Sequence, residues 1–465
     1  MTGVRAILDF PGPAGTDTRL VFTAPTDVLE TGELSQVRPL LRRVDQAVRA
    51  GCHAVGFVAY EAAPAFDPAM VTRAPNGATP LVWFALFGAP TAAAPPPCTG
   101  AAPPAVAWSP DSPRADYDAA ISRIRDAIAA GDVYQVNHTL RFTAADVAAA
   151  SWYDARVAAR QGLYHALIET PDWSIACASP ELFLDAAGRR ITARPMKGTV
   201  RRGRWTGEDA AAAAALAGSA KDRAENLMIV DLLRNDLGRI AEFGSVAVPR
   251  MYDVETYPTV HQLTSTVTAR LRHGIGVDDI FAATFPCGSV TGAPKIAAMR
   301  AIAALERAPR GPYCGAIGIM RPDGSFTFNV GIRTLLVDHL ARTSVYGAGG
   351  GITWDSNAAA EYDEVLAKAA LLDEHTPCFD LLETLRLDDG VYSRLPRHLA
   401  RLADSARYWG FSDDTASNVA AALERERRAA GVGAWRVRVT AGGKGEVEVT
   451  RTGGEGWEGA PDCAA

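Results

Sequence analysis

The residues best placed for covalent chemistry lie in the run "ITARPMKGTVRRGR", where Lys197 stands just after Pro195 and Met196 and just before Gly198. Proline and glycine punctuate turns, and a turn lysine is ordinarily solvated. The same placement suits a nucleophile once burial or nearby positive charge lowers the amine's pKa, and Arg201, Arg202 and Arg204 follow closely. This stretch alone leaves both readings open. A second pattern is paired acid. In "GSAKDRAENLMIVDLLRNDLGRI", a helix with Ser219 as its N-cap places Asp222 and Glu225 at i, i+3 on one face, and "NAAAEYDEVLAKAALL" repeats the device with Glu361 and Glu364. Such oxygen pairs suit Mg2+, which takes a few carboxylates and keeps waters for an anionic substrate. They equally describe solvated helix faces, with Glu364 and Lys368 as an ordinary i, i+4 ion pair. Glycine-rich "YGAGGGITWDS" and "FPCGSVTGAPK" offer backbone that can approach a small anion closely, but neither matches the nucleotide P-loop and no G-x-G-x-x-G opens a helix after a strand.

These groups must be held by elements of mixed type. In "ADYDAAISRIRDAIAAGD", Tyr117, Ile121, Ile124 and Ile128 share one helical face and Gly131 supplies a stop. Strand patterns occur in "WSIACAS", "YCGAIGIM", "FTFNVGIRTLLV" and "TSVYGAGGGITW". Strands and helices do not alternate as a doubly wound parallel fold requires, so the expected class is α+β: a two-sheet antiparallel sandwich with outer helices and a small α+β C-terminal segment. The expected division is an N-terminal part over 1–90, a Pro/Ala-rich linker over 91–113, a catalytic domain over 114–375, a compact segment over 376–452 and a flexible tail over 453–465.

The chain has 465 residues, with 47 basic against 53 acidic side chains, and so lacks the basic surface that phosphate backbones require. Nucleic acid is not an expected partner. No apolar run reaches the length of a membrane span and no signal-peptide h-region opens the chain, so the expected setting is cytoplasmic, without a membrane. Seven scattered cysteines without a C-x-x-C pair indicate reduced thiols rather than a disulfide framework or a zinc site.

Taken in order, "GDVYQVN", "ASPELF", "PMKGT", "DRAENLMIVDLLRNDLGRI", "FPCGSVTGAPK", "YCGAIGIM", "NVGIRT", "GAGGGITWDS" and "EYDEVLAKA" resemble the motif series of the chorismate-utilising enzymes. The resemblance is strong from about 115 to 372, and "VGFVAYEAAPAFD" extends it towards the N-terminus. Within the family the chain is most similar to the aminodeoxychorismate synthase branch. The resemblance implies a sandwich with its site between the sheets. Glu225 and Glu364 would bind Mg2+ directly, and Asp222 and Glu361 would act through water; Asp222 is a shorter acid where relatives often carry Glu. One chorismate carboxylate would go to Tyr313 and Arg333, the other to Lys368 and the main chain of Gly347, Ala348 and Gly349, with Thr291 and Gly292 lining the pocket. Lys197 would add to ring C2 while the C4 hydroxyl leaves with a proton from Glu181, after which ammonia enters at C4. His261 in "TVHQLTSTV" matches a family histidine near the ring, although a lone His in an apolar stretch is as often a packed core residue.

Anthranilate synthases typically carry a small residue at the lysine position, and enzymes that add water place a lysine where Gln135 stands. The pair Lys197 and Gln135 therefore favours amino-group transfer to C4, with an anthranilate or 2-amino-2-deoxyisochorismate synthase as the alternative. A non-catalytic, glutaminase-binding homologue is the alternative from another class. The chain shows no Cys-His-Glu amidotransferase segment, so ammonia is expected from solution or from a partner glutaminase subunit, a glutamine amidotransferase. The segment after 375 resembles the opening of an aminodeoxychorismate lyase. That family needs a later Schiff-base lysine, and only Lys444 follows residue 375.

Overall fold

A computed structural model of the chain describes residues 3–11, 17–94, 106–145, 147–159, 162–372, 379–443 and 445–453. Two compact units result, one of 1–201 with 213–376 and the other of 202–212 with 377–465. The expected continuous catalytic domain is thus interrupted directly after the strand that carries Lys197.

Within the first unit the described residues form two ten-stranded sheets. The N-terminal stretch is built into both. Arg5–Pro11 and Asp17–Thr23 pair in the first sheet, while Asp27–Thr31, His53–Val58 and Val82–Phe87 pair in the second. The glycine strand Thr343–Ile352 runs antiparallel to Gln135–Ala145 from Thr343↔Ala145 to Ile352↔Val136, and the lysine strand Met196–Arg201 runs antiparallel to Val260–Arg270.

Strand side chains alternate between faces, so each sheet presents one apolar face inward and one outward. Ala6, Leu8 and Ile175 of the first sheet meet Val55, Phe57 and Ile317 of the second. The Trp173 ring makes edge contacts with Phe57 and Trp83 at centroid distances of 5.6 and 5.2 Å. The helices Arg114–Ala129 and Ala358–Ala369 cover the outer face of the first sheet, and Leu34–Arg49 and Ala220–Gly238 that of the second. In Arg114–Ala129, Tyr117, Ile121 and Ile124 are buried, and Gly131 follows with a φ of 81°.

The Pro/Ala-rich stretch is not linker throughout. Thr91–Ala93 pairs with Asp17–Thr23, and Ser109–Pro110 with Gln135–Ala145. Edge strands tolerate proline because one side of the ladder needs no donor. Residues 95–105 lie outside the described residues. Cys177, Cys287 and Cys314 are buried free thiols and Cys52 is half-buried; Cys98, Cys378 and Cys463 fall outside the described residues.

In the second unit the strands Leu381–Asp388, Val391–Tyr392, Ala434–Ala441 and Val447–Gly453 form one antiparallel sheet, packed against the helices Leu395–Trp409 and Thr415–Ala429. Burial alternates along Leu381–Asp388, which puts Glu383 on the covered face with Leu381, Leu385 and Leu387. A buried carboxylate needs partners. Glu383 has them in Arg401 at 2.8 Å and His398 at 2.7 Å. The expected tail from 454 onward is outside the described residues.

Candidate active site

The lysine strand is a sheet edge, and its register shifts between Met196 and Thr199, so Lys197 and Gly198 form a bulge. Bulges re-aim side chains. Gly198 has a φ of 90°, and a Cβ there would lie 2.8 Å from Asp222 Cβ, so glycine lets the first acid helix close against the bulge. The lysine amine points to the glycine strand. A Cβ at Gly351 would fall 2.5 Å from Lys197 Nζ and 2.4 Å from Gln135 Nε2, so amine and amide converge over that residue. Gln135 is fully buried, yet neither its Nε2 nor its Oε1 has a hydrogen-bond partner. Burying both ends of an amide unpaired is costly unless a ligand completes them.

Glu181 belongs to the same enclosure. It is 3 % exposed with Oε1 unpartnered. Burial pushes its carboxyl up to about 7, against the Ser289 hydroxyl, the Lys197 charge and the Met196 amide. Burial also pulls the Lys197 amine below the ordinary lysine range; Glu225, Glu181 and Glu364 oppose the shift and Lys368 adds to it. A carboxyl kept neutral near pH 7 beside an amine shifted towards neutrality is a proton donor beside a nucleophile.

The acid pairs come from two capped helices. The Ser219 hydroxyl accepts from the Asp222 amide at 3.2 Å, and Asn357 caps Ala358–Ala369 through the Ala359 and Ala360 amides. Glu361 accepts from the Ser356 hydroxyl at 2.7 Å. A Cβ at Gly350 would lie 3.1 Å from Glu361 Oε2 and 3.9 Å from Glu364 Oε1, so two carboxylates line a cradle that glycine leaves open. Burial raises both Glu225 and Glu361; Asp222 and Glu361 push Glu225 further, and Glu364 does the same to Glu361. The helices therefore bring their acids within electrostatic reach of one another. Burial also presses on Glu364, but Lys368, Lys197 and Lys221 outweigh it and hold this acid below the usual glutamate range. The ordinary ion pair is present too, with Lys368 Nζ 2.7 Å from Glu364. Among the described residues no group of three or more His, Cys, Asp or Glu side chains stands in a metal-ligating arrangement. The donors present are hard oxygens whose mutual repulsion a divalent cation would relieve, and in that chemistry they fit Mg2+.

The remaining candidates line the same strands. Lys368 Nζ donates to the Gly349 carbonyl at 2.8 Å. The Tyr313 ring lies so close to Gly347 that a Cβ there would be 2.3 Å away. The Thr291 hydroxyl donates to the Cys287 carbonyl at 3.1 Å, and Gly292 has a φ of 141° with the Gln135 carbonyl 2.1 Å from where a Cβ would stand. Arg333 adopts a φ of 50° after Phe326–Val330, and its carbonyl accepts from the Ala178 amide at 3.0 Å. Its charge acts on Tyr346, the residue before Gly347. Ala348 turns its side chain into the apolar cluster that includes Tyr117 and Val365, which leaves its main chain to meet a ligand, the part of it that was expected to do so. His261 is buried on Val260–Arg270 in register with Val200, and its Nδ1 meets the Thr256 hydroxyl at 3.1 Å, as a packed and bonded core histidine does.

Sequence reasoning missed Ser289, Ser356 and Gly351. Ser356 sits five residues before Glu361, and the capping run "DSN" was its signal. Gly351 was one glycine among several, and nothing in its neighbours marks it as the close one.

A depression of about 930 Å3 lined by Arg5, Ala149, Glu169, Ser174 and His339 contains none of the candidate residues, so volume alone does not locate the chemistry. No helix among the described residues is long and apolar enough to cross a membrane. Residues 10–374 match the family described as chorismate binding enzyme. Over 266 residues the chain is 43% identical to aminodeoxychorismate synthase component 1 of Klebsiella aerogenes, covering 56% of this chain and 58% of that one. Over 260 residues it is 40% identical to an anthranilate synthase component 1 of Haloarcula marismortui, covering 55% and 48%. The chain thus spans less than two thirds of the length of these curated relatives. Among solved structures, anthranilate synthase component I from Streptococcus pneumoniae TIGR4 superposes with a TM-score of 0.69 at 26% identity, covering 78% of this chain and 93% of that one.

Proposed function

The chain belongs to the chorismate-binding enzyme family, and from that premise we propose that it is the catalytic subunit of an aminodeoxychorismate synthase, transferring ammonia-derived nitrogen to C4 of chorismate. The observation that carries this reading is the convergence of the Lys197 amine and the unpartnered Gln135 amide over Gly351, beside a Glu181 carboxyl raised to about 7.

The neutral Lys197 amine adds to ring C2 as the C4 hydroxyl departs and both ring double bonds shift, to C1=C6 and C4=C5; Glu181 supplies the proton that turns the hydroxyl into water. Ammonia then adds at C4, both double bonds shift back, and the C2–N bond to Lys197 breaks, returning the neutral amine. The proton shed by the new C4 ammonium restores Glu181. Two displacements through a covalent adduct replace one difficult substitution. Tyr313 and Arg333 hold one substrate carboxylate, and Lys368 with the main chain of Gly347, Ala348 and Gly349 holds the other, so the ring is fixed relative to the amine before any bond forms. Glu225 and Glu364, supported by Asp222 and Glu361, would hold Mg2+, which when bound supplies positive charge to a substrate carboxylate. Glutamine-derived ammonia would reach the site from a partner glutaminase, and the product would serve 4-aminobenzoate and folate synthesis in the cytoplasm.

Product identity tests the reading. Chorismate, Mg2+ and an ammonium salt are incubated with the chain, and a separate aminodeoxychorismate lyase is added. 4-Aminobenzoate is the expected product. Anthranilate would assign the chain to the activity named for its Haloarcula relative, and no product would leave the non-catalytic reading.

A further inference from the structure

The main chain at Gln135 is held on one side by a very short ladder. Gly292 pairs with Val136 and Ala293 with Gln135 itself, and flanking bonds run from the Asn137 amide to the Thr291 carbonyl at 2.8 Å and from the Tyr134 amide to the Ala293 carbonyl at 2.6 Å. Strands usually run to roughly five or six residues, so a ladder of this length at a sheet edge opens at low free-energy cost by itself. Gln135 has a stricter need. Both ends of its buried amide are unpaired, and they can serve a ligand only from one position.

Arg310 supplies the missing hold. Its guanidinium is buried, with Nη1 donating to the Val290 carbonyl at 2.7 Å and Nη2 to the Asn137 carbonyl at 2.8 Å. One planar group thus bridges the two chains of the ladder at the end where Thr291 meets Asn137. The fork is itself anchored. Nε and Nη2 donate to Glu306 at 2.9 and 2.6 Å, and Glu306 accepts in turn from the Thr139 amide at 3.0 Å and the Thr139 hydroxyl at 2.7 Å. Glu61 takes the Arg310 and Gly311 amides at 2.6 and 2.8 Å, and the Tyr60 ring centroid lies 4.6 Å from the Arg310 Cζ. A buried ion pair gains little stability for its own sake, since desolvating both charges offsets their attraction. What this pair supplies is direction: its bonds to main chain fall on Val290, beside Thr291, and on Asn137 and Thr139, in the strand of Gln135.

We propose that Arg310, held by Glu306, is a positioning residue that staples the segment 290–293 to the Gln135 strand and so fixes the Gln135 amide for the substrate. The proposal rests on the reading of Gln135 as a substrate-binding residue. Arg310 acts through that amide rather than on the ring. Lysine in its place keeps a charge opposite Glu306 but not the planar fork, so the two carbonyls lose their common partner.

The test is a double-mutant cycle on the full chain, read as kcat/KM for chorismate per folded molecule. Arg310→Lys is expected to lower kcat/KM about tenfold, and in a Gln135→Ala background the same change should cost less than about twofold, because the amide it positions is gone. Arg19→Lys is the control, since Arg19 is also buried and donates to Asp9 at 3.1 Å, in a pair that bonds no site residue. It should lower Tm and leave kcat/KM at its starting value in both backgrounds. Parental kcat/KM in Arg310→Lys overturns the proposal, and so do losses that simply add in the cycle. An equal loss in Arg19→Lys overturns it as well, because the effect would then belong to weakened packing in general. Gln135→Ala with parental kinetics does the same. If Arg310→Lys does not fold, Thr139→Val decides: it removes the hydroxyl that anchors Glu306, and a loss of about threefold is expected that disappears in the Gln135→Ala background. Parental kinetics or additive losses for Thr139→Val then overturn the proposal. A parent chain that makes no 4-amino product sinks the functional reading, while the same cycle run on chorismate binding by calorimetry still decides the role of Arg310.

Discussion

In the proposed reaction Lys197 and Glu181, which share one enclosure, meet opposite demands: the amine would have to lose its proton before it attacks, and the carboxyl to keep its own until the hydroxyl leaves. Burial serves both, because it disfavours the charged form of each. Lys197→Ala should therefore lower 4-amino-4-deoxychorismate formation by about 100-fold or more. Its fold should survive, and mass spectrometry of the parent enzyme quenched with chorismate but without ammonia should show an adduct on Lys197 that the variant lacks. Glu181 sets a pH limb. Its carboxyl is protonated below about 7, so the Glu181-dependent rate should fall as pH rises through that value, and Glu181→Gln should abolish the limb along with most of the activity. Stability moves the same way. The folded-state pKa is raised from 4.5 to about 7, so the folded chain loses stability relative to the unfolded one as pH climbs across that window. Glu181→Gln removes this loss. Denaturant titrations should show the variant gaining on the parent between pH 5 and pH 8, by on the order of 3 kcal/mol.

At the scale of elements, the glycine strand and the two acid helices do the positioning, and each glycine can be tested by what a methyl group would strike. At Gly351 the obstacles are the far ends of the Lys197 and Gln135 side chains, which can swing aside. Gly351→Ala should keep the parental Tm to within a few degrees and still lose activity by about 100-fold, because a displacement near 1 Å spoils the attack geometry. At Gly292 the obstacle is the Gln135 carbonyl on the main chain, and the φ of 141° strains any side chain. Gly292→Ala should destabilise the fold by about 2 kcal/mol or more, read as a lowered Tm. The second acid helix carries the metal prediction. Glu364→Gln removes one of the two carboxylates beside Gly350 and should raise both the Mg2+ concentration for half-maximal activity and KM for chorismate, since cation and dianion stabilise each other. Unchanged Mg2+ dependence in that variant would remove Glu364 from the metal site.

For the whole molecule, the supply of nitrogen is the open variable. Assayed as this chain alone, ammonium salts should support turnover and glutamine should not; an added glutamine amidotransferase subunit should restore glutamine use. The chain should bind no pyridoxal phosphate, and spectra taken after incubation with the cofactor should lack a Schiff-base band. A reducible adduct on Lys444 would instead give the second unit lyase chemistry of its own.

Local chemistry was legible from the chain. Ser219 as a cap, the i, i+3 acids of the two helices and the apolar face of Tyr117, Ile121 and Ile124 are decided within a few helical turns, where near neighbours in sequence are neighbours in space. The antiparallel class was legible for the same reason, since no regular strand and helix alternation runs along the chain. What the sequence could not decide depended on pairs far apart in it. Gly351 lies beneath Lys197 because two different sheets bring residues 135, 197 and 351 together, and no local pattern encodes that meeting. Ala348 lies on the glycine strand and His261 on the strand paired with the lysine strand, but whether a side chain there meets ligand or core follows from which face the partner sheet and helices cover. The ends of the Pro/Ala-rich stretch became edge strands because a sheet edge elsewhere in the chain offered them partners. Residues 202–212 joined the C-terminal unit because a guanidinium five positions past the lysine found its acceptor on Tyr408, two hundred residues on, a partnership only tertiary structure could make.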